Sequence, residues 1–138
     1  MIVLIIVFGI GVFVFSRRNQ EPLPFFSATV RRDCAPWDGP AFTISIPIAE
    51  SGIAISIYQA PDIQLPAMFW FPDETMQEGN ALLLAPAGMP EQLRGRVSFQ
   101  SVEQGKPVEG KFDLSTATGR IFKGQFKAAW DNEIVYCG

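Results

Sequence analysis

Cys34 and Cys137 are the only cysteines in the sequence, and histidine is absent. Without an imidazole there is no Ser-His or Cys-His nucleophile pair, no His-ligated zinc or copper, and no ordinary general base near neutral pH. One cysteine stands at the entry to the region that must fold and the other is the penultimate residue. A disulfide between them would staple both ends of a domain together. Loop-closure entropy alone puts its contribution at about 4–5 kcal/mol as an upper figure. The alternative is two unrelated buried thiols. Cysteines that bracket a domain favour the bridge, and with it an oxidising, extracytoplasmic compartment. Bonded cysteines leave no thiolate for nucleophilic chemistry or metal binding.

Carboxylates remain. Asp33 and Asp38 flank a turn beside Trp37, and Asp131-Asn132-Glu133 forms an oxygen-rich segment. Neither has the spacing of a calcium loop, and Asp and Asn are ordinary turn residues. An acid pair for glycoside hydrolysis needs a cleft, for which a domain this small has little room. No glycine-rich phosphate loop is present, because Gly9 and Gly11 lie in an apolar run and the later glycines mark turns. The reading is therefore non-catalytic, with no catalytic residue, no metal and no cofactor.

Two features bear on interaction instead. The run "MFWFP", Met68 to Pro72, is either a core strand or a loop whose Phe69, Trp70 and Phe71 expose an apolar ridge for a partner subunit or the headgroup layer. Lys111, Lys123 and Lys127 fall on the polar face of a late hairpin, either simply solvated or available to a partner.

The elements that position these residues read as strands. Phe42, Ile44, Ile46 and Ile48 alternate with polar residues, and Pro47 places this strand at an edge or puts the proline at its end. Ile53, Ile55 and Ile57 complete a hairpin across Glu50-Ser51-Gly52. After "AMFWFP" and "ALLLA" come strands over Arg96–Val102 and Val108–Leu114, a turn at Thr116–Gly119, and a strand placing Phe122, Phe126, Ala128 and Trp130 on one face. Gly124 lies on that face between phenylalanines, implying a close crossing or a bulge. A last short strand is expected over Glu133–Cys137. The whole is all-β: a single small antiparallel β-sandwich or barrel of about seven or eight strands, preceded by one N-terminal transmembrane helix.

That helix is read from Met1–Phe15, which contains no charged or polar side chain; Ile2, Leu4, Ile5, Phe8, Val12 and Phe15 are its anchoring residues. Fifteen helical residues reach ~22 Å, short of the ~30 Å hydrocarbon core. A cleaved signal peptide is the rival reading, but the basic n-region is missing. Acylation is disfavoured, since Cys34 lies well beyond the apolar run. The division is then an anchor over residues 1–16, a juxtamembrane linker over 17–32 with Pro22 and Pro24, and a β-domain over 33–138. Arg17, Arg18, Arg31 and Arg32 follow the apolar run and taken alone would hold the domain in the cytoplasm. The cysteine argument points to the outside.

Charge is unevenly spread. The net charge of −3 argues against a nucleic-acid partner. The stretch Asp33 to Leu93 has eight acids and no Lys or Arg, whereas Arg94 to Lys127 has seven cations against three acids. Either acidic early strands neutralise basic late ones, or the surface is bipolar, its basic face meeting an acidic partner or anionic lipid. The function expected is that of a non-catalytic, single-pass accessory or structural subunit of a membrane complex, contacting lipid through its helix and other membrane-protein subunits. The alternative is a membrane-anchored envelope module that holds a small apolar ligand in its interior.

Overall fold

The computed structural model describes residues 21–61 and 67–138. The expected transmembrane helix, with Ile2, Leu4, Ile5, Phe8, Val12 and Phe15, lies outside them. Among the described residues no helix is long and apolar enough to cross a membrane.

Among the described residues nine strands form one sheet: β1 (Phe25–Cys34), β2 (Pro40–Ile48), β3 (Ser51–Ile57), β4 (Ala67–Phe71), β5 (Gly79–Leu84), β6 (Glu91–Gln92), β7 (Arg94–Ser101), β8 (Val108–Ser115) and β9 (Ile121–Trp130). Their order is β4-β7-β8-β9-β1-β2-β3-β5-β6. Every neighbouring pair is antiparallel except β1 and β9, which run parallel with Phe26 opposite Phe126 and Val30 opposite Trp130. The expected antiparallel sandwich or barrel of seven or eight strands is thus corrected to a nine-stranded, mixed, single sheet.

The sheet curls. Phe42 on β2 and Phe99 on β7 are four strand positions apart, which would be ~19 Å along a flat sheet. Their ring centroids are 5.9 Å apart. Phe99 also meets Phe69 at 5.8 Å and Phe126 at 6.1 Å, all edge-on, so rings from four strands interlock at the centre. The inward positions are those that alternation predicts: Phe42, Ile44 and Ile46 on β2, Ile53, Ile55 and Ile57 on β3, and Phe112 and Leu114 on β8 are all buried. Trp130 closes one end of the core. Its Nε1 donates to the carbonyl oxygens of Glu103 and Lys106 at 3.1 and 2.8 Å, fastening the β7–β8 turn.

Two local expectations are corrected, and a third is decided between its alternatives. The linker over residues 17–32 is strand from Phe25 onward, because Phe26, Ala28 and Val30 alternate inward against Ser27, Thr29 and Arg31 and pair with both β2 and β9. Glu133–Cys137 is not a strand; Ile134 and Tyr136 are 66% and 89% exposed, and after the bond from Asp131 N–H to the Val30 carbonyl at 2.8 Å the ladder stops. Of the two readings of Pro47 the strand end holds: β2 is internal, and Pro47 sits near its end opposite Gly52, beyond the last β1 pairing at Ser45.

Gly124 is a close crossing. β8 and β9 alternate glycine and phenylalanine across the ladder, Gly110 opposite Phe126 and Phe112 opposite Gly124. A Cβ on Gly124 would stand 2.6 Å from the Phe26 ring, 2.9 Å from the Pro24 carbonyl oxygen and 3.0 Å from Phe112. Backbone cannot yield as a flexible side chain can. Gly124→Ala is therefore expected to cost about 1–3 kcal/mol through overpacking, read as a lower denaturant midpoint at unchanged slope.

Candidate functional site

The disulfide forms between Cys34, the last residue of β1, and Cys137 in the tail, with a Cα–Cα distance of 5.6 Å. Beside it, Asp33 is spoken for. Its Oδ1 accepts from the Cys34 N–H at 2.9 Å and its Oδ2 from the Thr43 hydroxyl at 2.7 Å, with Arg31 at 3.9 Å. Thr43 Oγ1 also lies 2.9 Å from Ser56 Oγ. This hydroxyl–hydroxyl–carboxylate chain spans β3, β2 and β1 on the outer surface, where register brings Thr43 opposite Ser56. It resembles a nucleophile relay only superficially, since no imidazole or amine stands between serine and carboxylate to take a proton. Its role is to satisfy Thr43, which is buried. Tyr58 packs edge-on against Trp37 at 5.4 Å. Burial, and then the negative charge of Asp33, push its phenol above the ordinary value.

The other carboxylates do not converge. Asp38, at φ 64°, turns the chain between β1 and β2. Asp131 Oδ1 accepts from the Glu133 N–H at 3.2 Å, an ordinary Asx turn. Among the described residues no three of His, Cys, Asp or Glu come together in a way that could hold a metal ion.

Asp73, which sequence reasoning did not single out, organises the loop between β4 and β5. Its carboxylate accepts from the Thr75 hydroxyl at 2.7 Å and from the N–H groups of Thr75, Gln77 and Glu78 at 3.2, 2.9 and 3.0 Å. The Thr75 hydroxyl bond, then the Glu78 N–H, lead in holding its pKa down at about 2. The signal available was "DETMQE", an Asp followed at two residues by Thr, which is a loop-closing pattern.

The interaction candidates divide by strand face. Alternation on β4 buries Phe69 and Phe71 and turns Met68 and Trp70 outward, 54% and 59% exposed. The ridge "MFWF" is therefore split, its two phenylalanines in the core and its tryptophan on the surface. Trp70 lies opposite Arg96, whose guanidinium stands 5.9 Å from the ring centroid. Register continues the row through Asp113 to Lys123, joined at 3.4 Å. The next row runs Met68, Ser98, Lys111, Gln125. A third pairs Glu109 with Lys127 at 3.9 Å. Lys111, Lys123 and Lys127 thus share one outer face with Trp70, Met68, Arg94 and Arg96. Sequence reasoning grouped the lysines but missed the two arginines, which the β7–β8 pairing sets beside them, and Met68, which the β4–β7 register adds. A groove of about 270 Å³ on this face is lined by Met68, Arg96, Lys111, Lys123 and Leu23.

Among the described residues the ion pairs join late cations to late acids, or Arg31 to Asp33 on the same strand. Among the described residues no acid of Asp33–Leu93 pairs directly with a cation of Arg94–Lys127.

In comparison with known proteins the chain matches no family model, no curated protein and no solved structure.

Reducing the disulfide should lower stability by about 2–4 kcal/mol, seen as a fall in Tm of roughly 10 °C or more. Thermal unfolding with and without reductant reads this, and a Cys34→Ser/Cys137→Ser double variant should show no further loss on reduction. For Asp73 the sign is fixed by its lowered pKa: ionisation stabilises the folded loop above the ordinary carboxylate range and the effect fades as pH falls through about 2. Amide exchange of Gln77 and Glu78 should stay slow to near pH 3 once corrected for intrinsic rates, and rise several-fold in Asp73→Ala already at neutral pH.

Proposed function

We propose that this chain is a non-catalytic, single-pass membrane protein whose β-domain lies on the extracytoplasmic side and serves as an accessory or structural subunit of a membrane complex. The observation that carries the reading is the Cys34–Cys137 disulfide, which belongs to an oxidising compartment. The apolar run Met1–Phe15 supplies the anchor. Of the four arginines that favour a cytoplasmic domain, Arg31 and Arg32 lie within β1 rather than in a juxtamembrane linker. Of the carboxylates weighed for chemistry, Asp33 accepts from the Thr43 hydroxyl and Asp131 closes a turn, which is the structural use this reading gives them.

The alternative, an envelope module with an apolar ligand in its interior, draws no support from a centre filled by interlocking rings of Phe42, Phe69, Phe99 and Phe126.

A C-terminally tagged chain, extracted from native membranes in mild detergent, should co-purify at fixed stoichiometry with larger membrane proteins identified by mass spectrometry. Recovery as a lone species of 15.2 kDa would overturn the subunit reading.

A further inference from the structure

The outer surfaces of the two halves of the sheet differ in chemistry. On β2, β3 and β5 the outward residues are uncharged: Ser45, Pro47, Gly52, Ala54 and Leu84 among them. On β4, β7, β8 and β9 they are cationic and amphipathic. Arg94, Arg96, Lys111, Lys123 and Lys127 share that face with Glu109 and Asp113, each of which already has a lysine partner, and Glu21 lies at its border beside Lys123. Among the described residues Arg94, Arg96 and Lys111 make no ion pair. Among the described residues β4 adds no charge to this face, since its outward side chains are Met68 and Trp70.

A second, independent observation is where the chain enters. Leu23 lines the same groove as Met68, Arg96 and Lys111. Its carbonyl accepts from Gln125 Nε2 at 3.4 Å, and the Pro24 carbonyl accepts from the Gln125 N–H at 2.9 Å. Eight residue steps lead from Phe15, the end of the apolar run, to Leu23. Fully extended they span at most ~28 Å. The tether therefore leaves the domain on the face where the cations gather.

We propose that the outer face of β4, β7, β8 and β9 docks on the bilayer through anionic phospholipid headgroups, with Trp70 and Met68 entering the headgroup layer and Arg96, Lys111 and Lys123 meeting phosphates. The proposal rests on the anchored reading above. A basic patch against anionic lipid gains from each cation brought near the surface. Long Lys and Arg stems cover apolar surface while their heads reach the phosphates, and a tryptophan with an apolar body and a polar N–H suits the boundary between water and acyl chain. A protein partner would be expected to bury a tighter apolar centre than this face holds, since Trp70 already has Arg96 over its ring.

The test uses the full chain, reconstituted in vesicles of phosphatidylcholine alone or with phosphatidylglycerol added, each carrying brominated acyl chains that quench nearby indoles. The difference between the native chain and Trp70→Phe isolates the Trp70 signal from Trp37 and Trp130. Docking predicts quenching and a blue shift of Trp70 only with phosphatidylglycerol. Molar salt, which shortens the screening length to ~3 Å, should reverse it. Each of Arg96→Gln and Lys111→Gln should weaken it roughly fivefold. The salt arm needs no variant and so does not depend on one folding. Association with both vesicle types while Trp70 stays unquenched overturns the docking and leaves the anchor standing. A chain that remains in the supernatant with both overturns the anchor and the docking together. Trp70 exposed on anionic vesicles but shielded in native membranes assigns the face to a protein subunit and also overturns the proposal.

Discussion

The parallel ladder between β1 and β9 is the contact on which the rest of the molecule depends. On one side of it β4, β7, β8 and β9 form an antiparallel half; on the other, β1, β2, β3, β5 and β6 form a second. Neither half buries its apolar face alone. Pairing Phe25–Val30 with Gln125–Trp130 joins them edge to edge, and the resulting nine-stranded sheet is wide enough to curl until Phe42 reaches Phe99. The same ladder delivers Cys34 and the chain's last residues to one corner, where the disulfide forms. Glycines opposite phenylalanines in β8 and β9 let the rings lie flat enough for the curl to close on a filled centre.

Much of this arrangement was legible in the sequence where side chains alternate. β2, β3, β8 and β9 declare themselves by isoleucines and phenylalanines at every second position, and Gly124 announced its crossing. β1 did not, although Phe26, Ala28 and Val30 alternate equally well, because two prolines precede it and two arginines interrupt it. Its burial comes from pairing on both sides, which is a tertiary fact. The tail failed in the opposite way. Ile134 and Tyr136 look like strand residues, yet the covalent bond at Cys137 holds the segment without a ladder. Parallel pairing left no local trace, since it joins segments about a hundred residues apart.

The interaction face was half legible for the same reason. Period two within β8 and β9 sorted Lys111, Lys123 and Lys127 to one side, and within "MFWF" it would have separated Trp70 from Phe69 and Phe71. Arg96 joins the lysines through the β7–β8 hairpin, whereas Met68 and Trp70 join them because β4 adds to β7, which no single stretch reveals. The charge imbalance was visible in composition, but whether it cancels depends on strand order. The order places the basic strands next to one another, so they neutralise acids of their own segment and the surface stays polar in the electrical sense.

The position of β1 has a mechanical meaning. Any force drawn through the N-terminal chain enters at Phe25 and runs along the axis of a strand held by ladders on both sides. Backbone bonds lying across the pull must be sheared together rather than unzipped in turn. At the far end of the strand the Cys34 link passes the load to the tail, so the C-terminal residues are drawn with β1 instead of being left behind. The fold is built like a handle riveted through the middle of a plate, not glued to its rim.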